Sequence, residues 1–230
     1  MMYALRRSVD KLLKYYEGLE PSSATHEHLH SSVFPSISPF HDKTGNTITF
    51  KYIRPLEDDP ACITFHAKTT GSSPIDVVVK FVSSSLWSAT GKTHIDSLLI
   101  TTLAPQLLYC GSVGIQHDDP TFRGLRMVVM EYVDGQTLHD VERVPPGAKG
   151  EVDRALKILH NKDYVFGDLR RQNVMVTKNA EVKLVDFDWA GKENETRYPL
   201  LISKAITGPL GVEGGSLITR SRDIYMFSLL

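Results

Sequence analysis

The feature that most constrains this chain is the stretch Phe166–Gly191, FGDLRRQNVMVTKNAEVKLVDFDWAG, in which polar residues punctuate two short apolar runs. Asn173 follows Asp168 by five positions, and Asp186 follows Asn173 by thirteen. The runs VMV and VKLVDF flank a Lys-Asn-Ala-Glu turn, so they close as a hairpin that brings Asn173 and Asp186 together. An amide carbonyl and a carboxylate converging there are hard oxygen donors, the type Mg²⁺ takes beside substrate phosphates. Asp168, on the preceding loop, is then placed to orient or deprotonate an attacking hydroxyl.

The segments around this stretch set the fold class. From Thr47 onward, TITFKYI, ACITFHA and IDVVVKFV are rich in β-branched and aromatic residues and are separated by the turn formers EDDP and TGSSP, which predicts three consecutive antiparallel strands. TLAPQLLYCGSV and LRMVVMEYV predict two more. EVDRALKILHNK places Val152, Leu156 and Leu159 on one helical face. Strands first and helices later indicate an α+β chain of two lobes. Residues 3 to 18 carry Leu5, Val9, Leu12, Leu13 and Tyr16 at helical spacing, followed by a Ser-, Pro- and His-rich linker. The predicted organisation is therefore 1–46 helix and linker, 47–134 first lobe and hinge, and 135–230 second lobe.

Charge and composition exclude several function classes. The 26 Lys plus Arg nearly cancel the 27 Asp plus Glu, so there is no basic footprint for nucleic acid or an anionic membrane. No apolar run reaches the roughly 18 residues a membrane span needs. Cys62 and Cys110 stand alone in the sequence, which suits a reducing compartment. The expectation is a soluble intracellular protein of the cytoplasm or nucleus. His26, His28 and His30 alternate on the linker without a fourth ligand in view and are read as a solvated loop.

FGDLRRQN followed by DFD resembles the protein-kinase catalytic loop H-R-D-L-x-x-x-N and its D-F-G. YVFGDLRRQNVMV, KLVDFDWAGKENETRYP and LAPQLLYCG are similar to kinase-like proteins of mushroom-forming fungi, and Gly-Asp-Leu and Asp-Phe-Asp-Trp to aminoglycoside phosphotransferases. The resemblance implies a protein kinase-like fold with a mainly antiparallel β N-lobe and a short, abridged helical C-lobe. It also implies ATP and Mg²⁺ as cofactors. VVVK resembles V-A-I-K, so Lys80 would contact the α and β phosphates and Val78 would pack on adenine. VVMEYV resembles the hinge, with Met130 as gatekeeper and the Glu131 and Val133 backbone offered to the adenine edge. Asp168 would be the base, Arg170 a cation near the transferred phosphoryl group, and Asn173 and Asp186 the metal ligands. Asp223, in RSRDIYMFSLL, would bond the catalytic-loop backbone.

The chain also leaves the kinase pattern at identifiable places. Glu57, Asp58, Asp59, Pro60, Ala61 and Cys62 stand where a glycine-rich loop would cover phosphates. The segment after Lys80 holds no Glu, leaving Asp96 as the acid to pair with that lysine. Gly91-Lys92-Thr93 is no Walker loop, because Leu86 stands where its first glycine belongs. Phe166 and Gly167 replace the His and Arg of the catalytic loop, and Asp188 the last Gly of D-F-G. The readings left open are phosphotransfer to a hydroxyl, a Ser/Thr protein substrate first, a pseudokinase scaffold, and a small-molecule phosphotransferase of the aminoglycoside or choline-kinase type. A partner covering the abridged C-lobe is a further expectation.

Overall fold

The strand-forming runs pair into one antiparallel sheet because each buries one face and pleats its other residues outward. The computed structural model describes residues 39–57, 63–83, 102–113, 125–200, 202 and 212–230. The expected N-terminal helix, the alternating histidines, Cys62, Asp96 and the Gly91-Lys92-Thr93 segment lie outside the described residues.

The sheet is built from β3 (Phe50–Pro55), β4 (Thr64–Thr69), β5 (Asp76–Ser83), β6 (Leu107–Ser112) and β7 (Leu125–Glu131), in the order β3-β4-β5-β7-β6. Every neighbouring pair is antiparallel. Val77, Val79 and Phe81 of β5 are buried on one face beside Phe65 and Ala67 of β4. Phe65, Tyr52, Phe50 and Phe40 continue this layer as a chain of tilted and edge-on rings, with centroids 5.2 to 6.4 Å apart. Aromatic residues at alternate strand positions build such a layer directly.

Two boundaries differ from the sequence reading. The run 47–53 divides: β2 (Thr47–Ile48) pairs with β1 (Phe40–His41), inside the stretch read as linker, and only Phe50 onward joins the large sheet. An Asp42 side chain that accepts the Thr44 and Asn46 amides closes the β1–β2 turn, a local bond that stabilises a tight turn independently of hydrophobic pattern. The run 102–113 becomes strand only at Leu107, because Leu103 and Ala104 are buried elsewhere and the Leu103 carbonyl accepts the Leu184 N–H at 2.8 Å.

The second half hangs on helix α1 (Ala148–His160), which buries Ala148, Val152, Ala155, Leu156 and Leu159. It begins three residues before the predicted start, where Gly147 turns the chain with φ 87°. Its buried face packs on β9 (Tyr164–Val165) and on β11 (Val182–Leu184). A 3₁₀ turn, Arg171–Asn173, leads into β10 (Val174–Thr177), which pairs with β11 on one side and β8 (Gly135–Thr137) on the other. β12 (Gly191–Lys192) returns along β9, and α2 (Arg220–Ser228) closes the described chain with Arg222, Asp223 and Met226 buried. No helix among the described residues is long and apolar enough to cross a membrane.

Candidate functional site

The even positions of β5, Val78 and Lys80, face away from the aromatic layer toward the second half of the chain. Val78 pairs in register with Met130 of β7. The Lys80 ammonium lies 2.7 Å from Asp186 Oδ1 and 2.8 Å from Asp188 Oδ2. Burial alone would push that ammonium down, but the two carboxylates outweigh it and hold it above the ordinary lysine value.

Both carboxylates come from the residues just after β11. Asp186 adopts φ 62°, and Phe187 between the acids turns into the core, edge-on to Phe166 at 5.2 Å and 89°. The buried ring fixes the acids on either side of it. Among the described residues the carboxylates on Lys80 are Asp186 and Asp188; Asp96, the partner offered by the sequence reading, lies outside them. Asp188 was missed as a site residue, because the left-handed backbone at Asp186 and the turn at Asp188, rather than a strand's alternation, bring the two acids to Lys80.

Asp168 is 4% exposed and its carboxylate is crowded. Arg170 donates Nε to Oδ1 at 2.6 Å and Nη2 to Oδ2 at 2.7 Å, a bidentate pair. That bond to Asp168 raises the guanidinium pKa, against the opposing effect of partial burial. Asn173 donates Nδ2 to Asp168 Oδ2 at 3.0 Å and to the Asp168 carbonyl at 2.9 Å. The β10–β11 hairpin then brings Asn173 beside the acids, since the Asn173 carbonyl accepts the Val185 N–H at 3.0 Å.

Asp223, fully buried, supports this loop from below. It accepts the Phe166 N–H on Oδ2 and the Gly167 N–H on Oδ1, both at 2.8 Å, and lies 3.0 Å from His160 Nε2. His160 was not anticipated from sequence, because nothing in a helical pattern marks which polar residue near the C-terminus turns inward.

These groups line two adjoining cavities. One, of about 420 Å³, is bordered by Val78, Met130, Glu131, Val133, Met175 and Val185, and at its far end by Lys80, Asp186 and Asp188. The other, of about 270 Å³, adds Asp168, Arg170 and Trp189. Glu57 borders both, so the first residue of the acidic turn stands at the polar end of the cleft; Asp58 to Cys62 lie outside the described residues. Among the described residues the Val133 N–H, at the cavity wall, has no protein partner. The Glu131 carboxylate turns outward, accepting the Lys183 ammonium and the Gln106 N–H, each at 3.0 Å.

The donor set fits a magnesium ion of the kind that keeps water and phosphate ligands. Among the described residues no three His, Cys, Asp or Glu side chains gather as a self-sufficient metal cage. The Asp186 and Asp188 carboxylates, which already share one cation, match the one or two carboxylates Mg²⁺ uses beside phosphates, and the Asn173 amide adds a neutral oxygen.

Comparison with known proteins places these features. The profile of the lipopolysaccharide core biosynthesis protein (WaaY) family matches residues 120–198. The serine/threonine-protein kinase STE20 of Kluyveromyces lactis is 35% identical over 85 residues, 34% of this chain and 9% of that protein. The cAMP-dependent protein kinase type 3 of Saccharomyces cerevisiae is 36% identical over 90 residues, 35% of this chain and 23% of that protein. The chain thus spans a minor part of these curated relatives. Among solved structures, the PK-1 kinase of Cydia pomonella granulovirus superposes with a TM-score of 0.56 at 16% identity, covering 77% of this chain and 65% of that one. The chain therefore has a protein kinase-like fold, with an antiparallel sheet above a short helical lobe.

Proposed function

We propose that the cleft binds Mg-ATP and passes its γ-phosphoryl group to a hydroxyl acceptor, a Ser/Thr side chain of a protein before a small molecule. The observation that carries this reading is the meeting of Lys80 with Asp186 and Asp188 at the polar end of a cavity whose other end is apolar. An adenine fits the end walled by Val78 and Met130, with the Val133 N–H as a donor to its edge. Lys80, released from one of its carboxylates, would bind the nucleotide phosphates, and Asp186 and Asn173 would hold the metal. Mg²⁺, when bound, offsets phosphate charge and screens the carboxylates from it.

Asp168 takes the acceptor proton. Each carboxylate oxygen has two lone-pair sites, and Oδ2 already accepts both Arg170 Nη2 and Asn173 Nδ2, whereas Oδ1 accepts Arg170 Nε alone among the described residues. Oδ1 therefore has a lone pair left for the acceptor hydroxyl. Arg170 stays within reach of the cleft and contributes positive charge where the transferred group carries negative charge.

A second reading is a pseudokinase scaffold that keeps the fold without turnover. Two observations favour it: Glu57 borders the phosphate end of the cleft, and Arg170 covers both oxygens of Asp168. Titrating Mg-ATP against thermal stability separates binding from no binding, since a ligand at 100 times its Kd adds about 2.7 kcal/mol. No shift at millimolar Mg-ATP removes the phosphotransfer reading. A shift with no transfer of labelled γ-phosphate to protein acceptors supports the scaffold.

A further inference from the structure

Gly167, immediately before Asp168, is held through both of its flanking peptide groups. Its N–H donates to Asp223 Oδ1 at 2.8 Å, and its carbonyl accepts the Tyr198 hydroxyl at 3.1 Å. Gly167 has φ +85°, and a Cβ there would lie 2.9 Å from the Trp189 carbonyl oxygen and 3.1 Å from Ile218 Cδ1. Glycine is thus required, and a glycine is also the residue that most readily rotates when its bonds are lost.

Tyr198 is anchored as firmly as the loop it touches. It is 3% exposed, sits edge-on to Trp189 at 5.5 Å and packs with Val165 and Ile218. Its N–H donates to the Ser216 carbonyl at 3.0 Å and its carbonyl accepts the Gly215 N–H at 3.1 Å. The hydroxyl donates its proton to the Gly167 carbonyl, and the Arg222 guanidinium carries positive charge near the phenol. No periodic pattern marks Tyr198, which lies in an irregular segment.

We propose that Tyr198 is a positioning residue for Asp168: its hydroxyl fixes the Gly167 peptide and thereby the direction of the Asp168 carboxylate, joining the segment after Trp189 to the catalytic loop through an uncharged bond. The bland alternative is a core tyrosine whose hydroxyl is merely satisfied. The two differ in what the bond controls. A satisfied core hydroxyl affects stability alone, whereas a positioning bond affects the transfer step and leaves nucleotide binding as it was. The catalytic part of this inference rests on the phosphotransfer reading above.

The test is Tyr198→Phe, which keeps the ring and removes the hydroxyl. The expected result is a fall in kcat of about tenfold with the KM for Mg-ATP unchanged. An unchanged kcat, or a parallel loss of kcat and Mg-ATP affinity, overturns the proposal. Amide hydrogen exchange tests it without turnover, so that an inactive wild type would sink the phosphotransfer reading alone. In the variant the amides from Phe166 to Arg170 should exchange faster while those of α1 keep their rates; unchanged exchange in the loop overturns the proposal.

Discussion

The Lys80 ammonium and the Asp186 carboxylate meet at 2.7 Å although 106 positions separate them in the chain. The bond ties the sheet to the hairpin below it, and its ammonium is held above the ordinary value of 10.5 by Asp186 and Asp188 against the opposing cost of burial. A folded-state pKa raised above the unfolded one stabilises fully below the unfolded value and is lost as pH rises through the folded one. Stability should therefore decline above about pH 10.5. Burial also holds the phenols of Tyr52 and Tyr198 up, the latter to about 12, so they steepen the same alkaline loss. Lys80→Met should flatten the slope of urea-unfolding free energy against pH in that window; an unchanged slope would assign the loss to the phenols.

Asp186→Ala removes one of the two acids on Lys80 and leaves Asp188 in place. The expected outcome is that nucleotide still raises the melting temperature but Mg²⁺ adds nothing to it, with Mg-ATP affinity down by more than about tenfold. Calorimetric titration with and without Mg²⁺ reads this directly. An Asp186→Ala protein that keeps its full Mg²⁺ dependence would move the metal to Asp188.

Asp223→Ala strands two buried amides and His160, because one fully buried carboxylate serves all three. Leaving buried donors without a partner should cost roughly 3–5 kcal/mol in chemical denaturation. Asp223→Asn keeps one acceptor oxygen and should recover about half of that.

Lys183, buried on β11, and the half-exposed Glu131 join the hinge to the hairpin at 3.0 Å. Because Glu131 retains solvent and the Gln106 N–H, Lys183→Met should cost only about 1 kcal/mol. A double-mutant cycle with Glu131→Gln should return a coupling of similar size.

The fold class was legible because it rests on pattern: five strand-forming runs, one helical face at Val152, Leu156 and Leu159, and a turn between two apolar runs. What pattern missed was decided by single polar contacts. Asp42 closes a turn inside a stretch that composition reads as linker. The Leu103 carbonyl draws an apolar run out of the sheet to meet Leu184. The candidate residues Asp168, Asn173 and Asp186 could be singled out because they punctuate strands at fixed offsets, and the hairpin between them is a local event. The pairing of Lys80 with Asp188 joins distant segments, and Tyr198 reaches Gly167 from an irregular one. Neither leaves a periodic trace.

The register of β5 on β7 sets Val78 opposite Met130, and side chains alternate strictly across a strand. A slip of one residue would turn the Lys80 ammonium onto the face now lined by Phe65 and Ala67 and present Val79 to the acids. Hydrophobic content, strand propensity and net charge would all survive that slip; only the parity would change. The cleft's chemistry is thus written partly in whether positions on β5 are odd or even, and a one-residue insertion there should erase nucleotide binding from a chain that still forms its sheet.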